Sequence, residues 1–546
     1  MNTLTSFASW LAKHGALVRS MALHEAGQLS WQTTVEGESC TVRQYRETIV
    51  QLLCQAMQKA KSVTATGCTA TIEAAAAPGV AAPMQQQQQP GLRLGSFSSD
   101  AAWAVGLLPA LPAHSLTCLE LDLNSSRSYA QRDRDAAALA AALPRLSSLQ
   151  QLVFEGDLMC KLDSCMSVLG QLSKLTSLKL MGLDSAEEAY SALQQLLLQP
   201  PPLRVLHIDM DGYTVGYDPG DEAKQPLDMG CLQQLQEFTC CGALPQLSVL
   251  PVQLRHLGLD HCLYSNRQLI TVMPLQQLTA LQFVVHFREL QPLLRLAQLP
   301  ALQQLRLEMS SWQKAAAIAP AWGQLTQLCE FTLYDNSDDP TPTGQQVAAV
   351  VAGIAAATGL TSLYLHLPYQ FSDQQQEAAA AAEGGQQQVP VDVCASISGL
   401  THLSYLTLGF LEPLRAANSV GLALALVPGD VVALTALTSL TYLDLSAGGR
   451  CVGDMEVVAL ACCLKQLRHI GLDDCKLGAM ACLGAVAHLP QLTELSLVNV
   501  PGLTKQGLMM LKRLSHLQCL DMDRNAEVTD AVMAEFLAAL RGGCRH

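Results

Sequence analysis

The chain is short of aromatic residues and of charge. Phe, Trp and Tyr make up 5% of its 546 residues, and charged residues 15%. With so few rings, a core has to be filled by aliphatic side chains, and a hydrophobic content of 49%, rich in Leu and Ala, can supply them. Basic residues are outnumbered: 33 Lys and Arg stand against 47 Asp and Glu, a net charge of −14. That balance argues against a surface for nucleic acid or an anionic membrane. It is compatible with a protein partner that has a basic segment, but most acidic surfaces simply keep a protein in solution. The longest apolar run, VAAVVAGIAAA at 347–357, is too short to span a bilayer. The opening MNTLTSFASWLAKHG lacks the long apolar stretch of a secretory signal.

Motifs that carry chemistry are missing too. There is no G-x-G, so no dinucleotide-binding turn, and no P-loop, G-x-S-x-G or H-E-x-x-H. The 19 Cys form no C-x-x-C pair, and the adjacent pairs Cys240-Cys241 and Cys462-Cys463 are poorly placed for a mutual disulfide or a shared metal. Unpatterned thiols point to a reducing, cytoplasmic compartment. His256 and His261 flank one short strand on different sides, a poor metal pair. Arg127, Arg132 and Arg134 read as solvated loop charges. No catalytic, cofactor-binding or metal-binding residue is expected.

What the chain does have is a repeat. The pattern L-x-x-L-x-L begins at Leu116, Leu149, Leu175, Leu203, Leu235, Leu254, Leu278, Leu302, Leu328, Leu360, Leu403, Leu440, Leu467, Leu492 and Leu517, with a degenerate earlier copy at Val18. The last three starts are 25 residues apart. Positions four and six lie two residues apart, so in a strand they share one face. Helix-like segments, such as AEEAYSALQQLLLQ from 186 and TKQGLMMLKRL from 504, fill the intervals, and Thr504 and Thr529 sit where N-caps belong. A single strand-plus-helix unit cannot bury its apolar side alone, but stacked units share one core.

These motifs resemble those of the leucine-rich-repeat family, over nearly the whole chain after about residue 110. The family's ninth position, usually Asn or Cys, is matched by Asn124, Asn336, Asn525, Cys262 and Cys475, and missed at positions such as Val500. The resemblance implies an α/β solenoid with short parallel strands on a concave face and helices on a convex one. The last units are similar to the cysteine-containing subclass found in F-box substrate receptors, and so is the Trp-containing segment LTSFASWLAKHGALVRSMAL, read as a cap helix leading into the first strand. No F-box precedes that segment.

The organisation expected is a cap and degenerate repeat over 1–61, a low-complexity insert over 62–97, and a solenoid over 98–546. A Gln- and Ala-rich insert interrupts the solenoid at about 372–390, and smaller loops fall at 212–226 and at PGD, 428–430.

In such a solenoid the third, fifth and seventh positions face the concave surface. Thirteen acids fall there, among them Glu330 and Asp444, against two bases, Lys179 and Arg306. Four neighbouring units also place a tyrosine there: Tyr334 in the seventh position, Tyr364 in the fifth, Tyr405 and Tyr442 in the third. They should form a diagonal patch rimmed by Glu330 and Asp444. Tyrosine is enriched in binding hot spots, and it is also a favoured strand residue. The expected function is non-catalytic protein binding on this face, as a scaffold or adaptor. The family resemblance implies two homes, a cytoskeletal or axonemal scaffold and a ubiquitin-ligase receptor without its F-box; the competing class is an enzyme regulator of the GTPase-activating type. Oligomeric state is left open.

Overall fold

The computed structural model describes residues 20–23, 55, 94–99, 102–122, 129–156, 162–183, 186–210, 226–242, 247–260, 270–285, 291–309, 311–335, 343–368, 391–411, 429–446, 452–478, 480–500 and 502–543. The expected cap helix, the bulk of the 62–97 segment, the 372–390 insert, the 212–225 loop, Asn124, Asn336, Arg127, His261 and Cys262 lie outside them. The chain divides into two compact units, Met1–Cys262 and Leu263–His546.

In the first unit the strands β1 (Ser20–Leu23), β2 (Ser96–Ser99), β3 (Cys118–Asp122), β4 (Gln151–Glu155), β5 (Ser177–Met181) and β6 (Val205–Asp209) pair in chain order. A short strand, β7 (Leu227–Asp228), then leaves the sheet, which continues through β8 (Glu237–Cys241). The short strand β9 (Leu247–Val249) pairs with β7, and β10 (His256–Asp260) pairs with β8. In the second unit β11 (Ala280–Val285), β12 (Gln304–Met309), β13 (Glu330–Asp335), β14 (Ser362–Pro368), β15 (Tyr405–Leu411), β16 (Tyr442–Asp444), β17 (His469–Gly471), β18 (Glu494–Leu497) and β19 (Cys519–Met522) pair consecutively. Every pairing is parallel, and equal repeat positions stand opposite one another, as in Leu406↔Leu443 and Leu443↔Ile470.

The leucines do what their spacing requires. Leu440, Leu443 and Leu445, the first, fourth and sixth of one repeat, are all buried. The larger core rings occupy the same positions: Phe97, Phe238 and Phe331 the fourth, Phe154 and Phe283 the sixth. The residue in second position, Ser or Thr in seven of the fifteen repeats, also has a task. Its carbonyl accepts hydrogen bonds from the second and third N–H groups of the next repeat, as Ser404 O does from Thr441 N and Tyr442 N. Its hydroxyl donates to the previous repeat, Thr361 Oγ1 to Cys329 O at 3.0 Å and Thr441 Oγ1 to Ser404 O at 3.0 Å.

Two ninth positions show why Asn and Cys recur. Asn525 donates from Nδ2 to Leu503 O of the preceding repeat at 2.8 Å and accepts from Glu527 N and Val528 N. Cys475, buried, directs its thiol to Leu445 O at 3.8 Å. The eighth position holds a turn that the sequence reading did not register. It takes a positive φ at Gly156, Gly182 and Gly242, and at Asp474 and Asn499, the residue types that tolerate the left-handed region. Each unit is thus an α/β leucine-rich-repeat solenoid.

Return segments are helical where the sequence suggested it: Tyr129–Ala142, Ala186–Leu198, Lys505–Met510 and Asp530–Gly543. Thr504 caps its helix, accepting from Gly507 N at 3.1 Å. A capping box at Thr343 and Gln346 starts the helix Gly344–Ala355.

Two segments differ from expectation. The end of the 62–97 segment is a repeat: Leu94 and Phe97 are fully buried, and β2 is seated between β1 and β3. Its sixth position is Ser99, so the pattern L-x-x-L-x-L passes over it. The PGD loop ends in a buried anchor. Asp430 caps the helix Val393–Ile397 from a distance, accepting from Cys394 N at 2.8 Å and Ala395 N at 2.9 Å. A carboxylate at a helix start satisfies N–H groups that have no partner within the helix.

Asp430→Ala is expected to cost about 2–4 kcal/mol, because one buried and one part-buried donor lose a charged acceptor. Leu443→Ala should cost a similar ~2–5 kcal/mol by leaving a cavity. Urea unfolding measures both. Hydrogen exchange should show the loss for Leu443→Ala concentrated in adjacent repeats, since repeats couple mainly to neighbours; a uniform loss across the second unit would contradict this.

Candidate functional site

The four tyrosines lie in the second unit, on strands β13 to β16, in positions whose side chains alternate away from the core. All four are half-buried. The register puts Tyr405 opposite Tyr442, and Tyr442 opposite His469. Their rings stack: Tyr405 and Tyr442 with centroids 3.8 Å apart and planes 7° off parallel, Tyr442 and His469 at 3.9 Å and 4°. Tyr364 joins from the neighbouring fifth position, 4.6 Å from Tyr405 and tilted by 33°. At the far end, His469 Nδ1 lies 3.0 Å from Glu494 Oε2.

Tyr334 does not continue this row. It stacks on His366 at 4.5 Å, both in seventh position, and the Arg306 guanidinium lies over its ring at 4.6 Å. The expected diagonal patch is therefore two ladders, one in seventh position and one running Tyr364–Tyr405–Tyr442–His469. The two histidines and Arg306 were not counted into the site from the sequence. The available signal was that His366 and His469 share positions with tyrosines on adjacent strands.

Two glycines make room for the arrangement. A Cβ at Gly409 would lie 2.5 Å from His366 Nδ1, and one at Gly471 would lie 2.6 Å from Asp444 Oδ1. Both glycines face the solvent side of the sheet, so their smallness serves neighbouring side chains on that side.

The acids divide into two groups. Asp444 accepts from Ser446 Oγ at 2.5 Å and from Ser446 N at 2.9 Å, so it secures the turn after β16. Asp473 accepts from Ser496 Oγ at 2.6 Å and Val498 N at 2.8 Å, tying one repeat to the next. Glu330 stands beside the tyrosines at one end, close enough to act electrostatically on Tyr364. Glu494 closes the other end and remains 53% exposed.

Burial favours the protonated hydroxyl at Tyr364, Tyr405 and Tyr442. It pushes Tyr405 up to about 12, helped by the hydrogen bond and charge of Tyr442, and raises Tyr364 and Tyr442 as well. Burial lowers His366, with Arg306 acting in the same direction and Asp444 opposing. The surface is thus a fixed row of neutral rings and hydroxyls between carboxylates.

Among the described residues no group of three or more His, Cys, Asp or Glu is placed to hold a metal, and no helix is long and apolar enough to cross a membrane. Cys118, Cys165, Cys231, Cys329, Cys462, Cys463 and Cys519 carry free thiols. Arg132 and Arg134 lie on the helix Tyr129–Ala142 rather than in a loop, and Arg134 is exposed.

No protein-family model matches the chain, and no curated protein matches it. Among solved structures it is similar to an internalin (inlF) of Listeria monocytogenes, at 16% identity over 71% of this chain and 89% of that one, with a TM-score of 0.33. It is also similar to a leucine-rich-repeat protein of Leptospira interrogans, at 18% identity over 73% and 90% of the two chains, with a TM-score of 0.37. This chain is a leucine-rich-repeat protein by fold. What makes it one is its own in-register ladder, its buried first, fourth and sixth positions, and the bonds made by Asn525 and Cys475.

The tyrosine protonation has a consequence for alkaline stability. Folded Tyr405 keeps its proton to about pH 12, against an ordinary value of 10.0. Between those values the unfolded chain binds fewer protons, so stability present below pH 10 is lost as pH rises toward 12. Tyr405→Phe should flatten this decline, measured as urea midpoints from pH 9 to 11. A second outcome follows from the glycine at 409: Gly409→Ala should displace the His366 ring from Tyr334. In NMR spectra this appears as loss of the ring-current shift on the His366 protons, with the fold retained.

Proposed function

We propose that the chain is a non-catalytic scaffold or adaptor that binds a protein partner on the solvent side of the second unit's sheet, at Tyr334, Tyr364, Tyr405 and Tyr442. The observation that carries this is the stacked row Tyr364–Tyr405–Tyr442–His469. Rings on this side add nothing to the leucine core. Locked against each other, they offer contact area whose rotamer entropy is already lost before a partner arrives. Glu330 belongs to the rim of the site. Asp444 contributes charge, though its hydrogen bonds serve the turn. A scaffold of the cytoplasm or cytoskeleton is the setting that suits such a face.

Site-specific photo-crosslinking in the native cell tests the reading. A benzophenone amino acid at Ser362, beside Tyr405 in register, should capture a partner. The same group at the exposed Gln313, on the helix Trp312–Trp322, should not. Tyr405→Ala should reduce capture from 362 by about tenfold, the loss expected of a hot-spot aromatic. Equal capture from both positions, or none from 362, would overturn the assignment.

A further inference from the structure

We infer that the aromatic ladder receives an extended peptide segment of about seven residues, with arginine at both ends and small neutral residues between. This rests on the reading of the sheet face as the binding surface and specifies its ligand.

Charge decides the ends. Over the repeats that begin at Leu278 through Leu517, the third, fifth and seventh positions carry seven carboxylates and one guanidinium. The carboxylates are not equivalent. Asp444 and Asp473, on the repeats that carry Tyr442 and His469, are committed to Ser446, Ser496 and Val498 N. Glu330 and Glu494 stand at its two ends, and Glu494 stays 53% exposed while it contacts His469. Between them the tyrosine hydroxyls are neutral acceptors. A ligand that matches this surface sets cations against the carboxylates at the two ends and needs none in its middle, where Asp444 already accepts two hydrogen bonds.

Geometry sets the length. Glu330 on β13 and Glu494 on β18 are five strand steps apart. At about 4.8 Å per step that is roughly 24 Å, which an extended chain crosses in about seven residues.

The protein itself shows why the cation should be arginine. On this same face Arg306 lays its guanidinium 4.6 Å from the Tyr334 ring centre. A planar, weakly hydrated guanidinium can stack on a ring and pair with a carboxylate through a fork of donors, whereas an ammonium is a hydrated point charge. Lysine at the two ends would use the carboxylates and forgo the rings.

The test uses the full chain and a fluorescein-labelled heptapeptide, Arg-Ser-Ala-Gly-Ala-Ser-Arg, read by fluorescence anisotropy. The peptide should bind, and more weakly as salt rises. The Lys-for-Arg peptide should bind several-fold more weakly and the Glu-for-Arg peptide not at all. Combined Glu330→Gln and Glu494→Gln should weaken the arginine peptide by about tenfold or more. Glu120→Gln, which removes an acid from the first unit's sheet, should leave it unchanged. Tyr405→Ala should weaken binding too. Tyr405→Phe keeps the ring and guards against loss of folding: it should bind nearly as wild type. If arginine and lysine peptides bind alike and Tyr405→Ala has no effect, the attraction is unspecific charge and the proposal is overturned. If no peptide binds while crosslinking from 362 persists, the ligand chemistry is wrong and the binding face stands. If both fail, the face itself is not the site.

Discussion

Parallel strands held in register, one repeat position opposite its equal, are the constraint on which the rest of the second unit depends. The second-position carbonyl enforces it by accepting two N–H groups from the following repeat, as Thr441 O does from Arg468 and His469. Once that bond repeats, whatever occupies one position becomes a column of side chains about 4.8 Å apart. Leucines in the fourth and sixth positions become a continuous core. Residues in the odd positions become ladders on the other side.

The aromatic row is a direct product of this stacking. Parallel planar rings at strand spacing need only a slight lean to touch, and Tyr405, Tyr442 and His469 do so at 3.8 and 3.9 Å. The same register makes Asp473 structural: it can reach Ser496 and Val498 N because the next repeat is one strand away. A tally of acids on the face therefore overstates the charge open to a ligand. Glycine at 409 and 471 is part of the same logic, since a methyl group there would occupy the space of the neighbouring column.

Much of the fold was legible because burial on one side of a strand leaves a strict pattern. The repeat at Leu94 escaped because a serine, Ser99, fills its sixth position and is buried nonetheless. Asp430 escaped because PGD has the composition of a surface turn, and nothing local indicates that its carboxylate caps a helix 35 residues earlier. The recurring left-handed eighth position was readable in hindsight, from Gly156, Gly182, Gly242, Asp474 and Asn499.

By itself the sequence determined the repeat, its period, the core positions and which face each tyrosine would occupy, since all of these follow from alternation along single strands. Only the tertiary structure decided which rings touch. Tyr334 pairs with His366 and Arg306 while Tyr364 leans on Tyr405. Side-chain lean, ring tilt and the space freed by a neighbouring glycine are settled between residues that lie 27 to 43 positions apart in the chain, and no single strand encodes them.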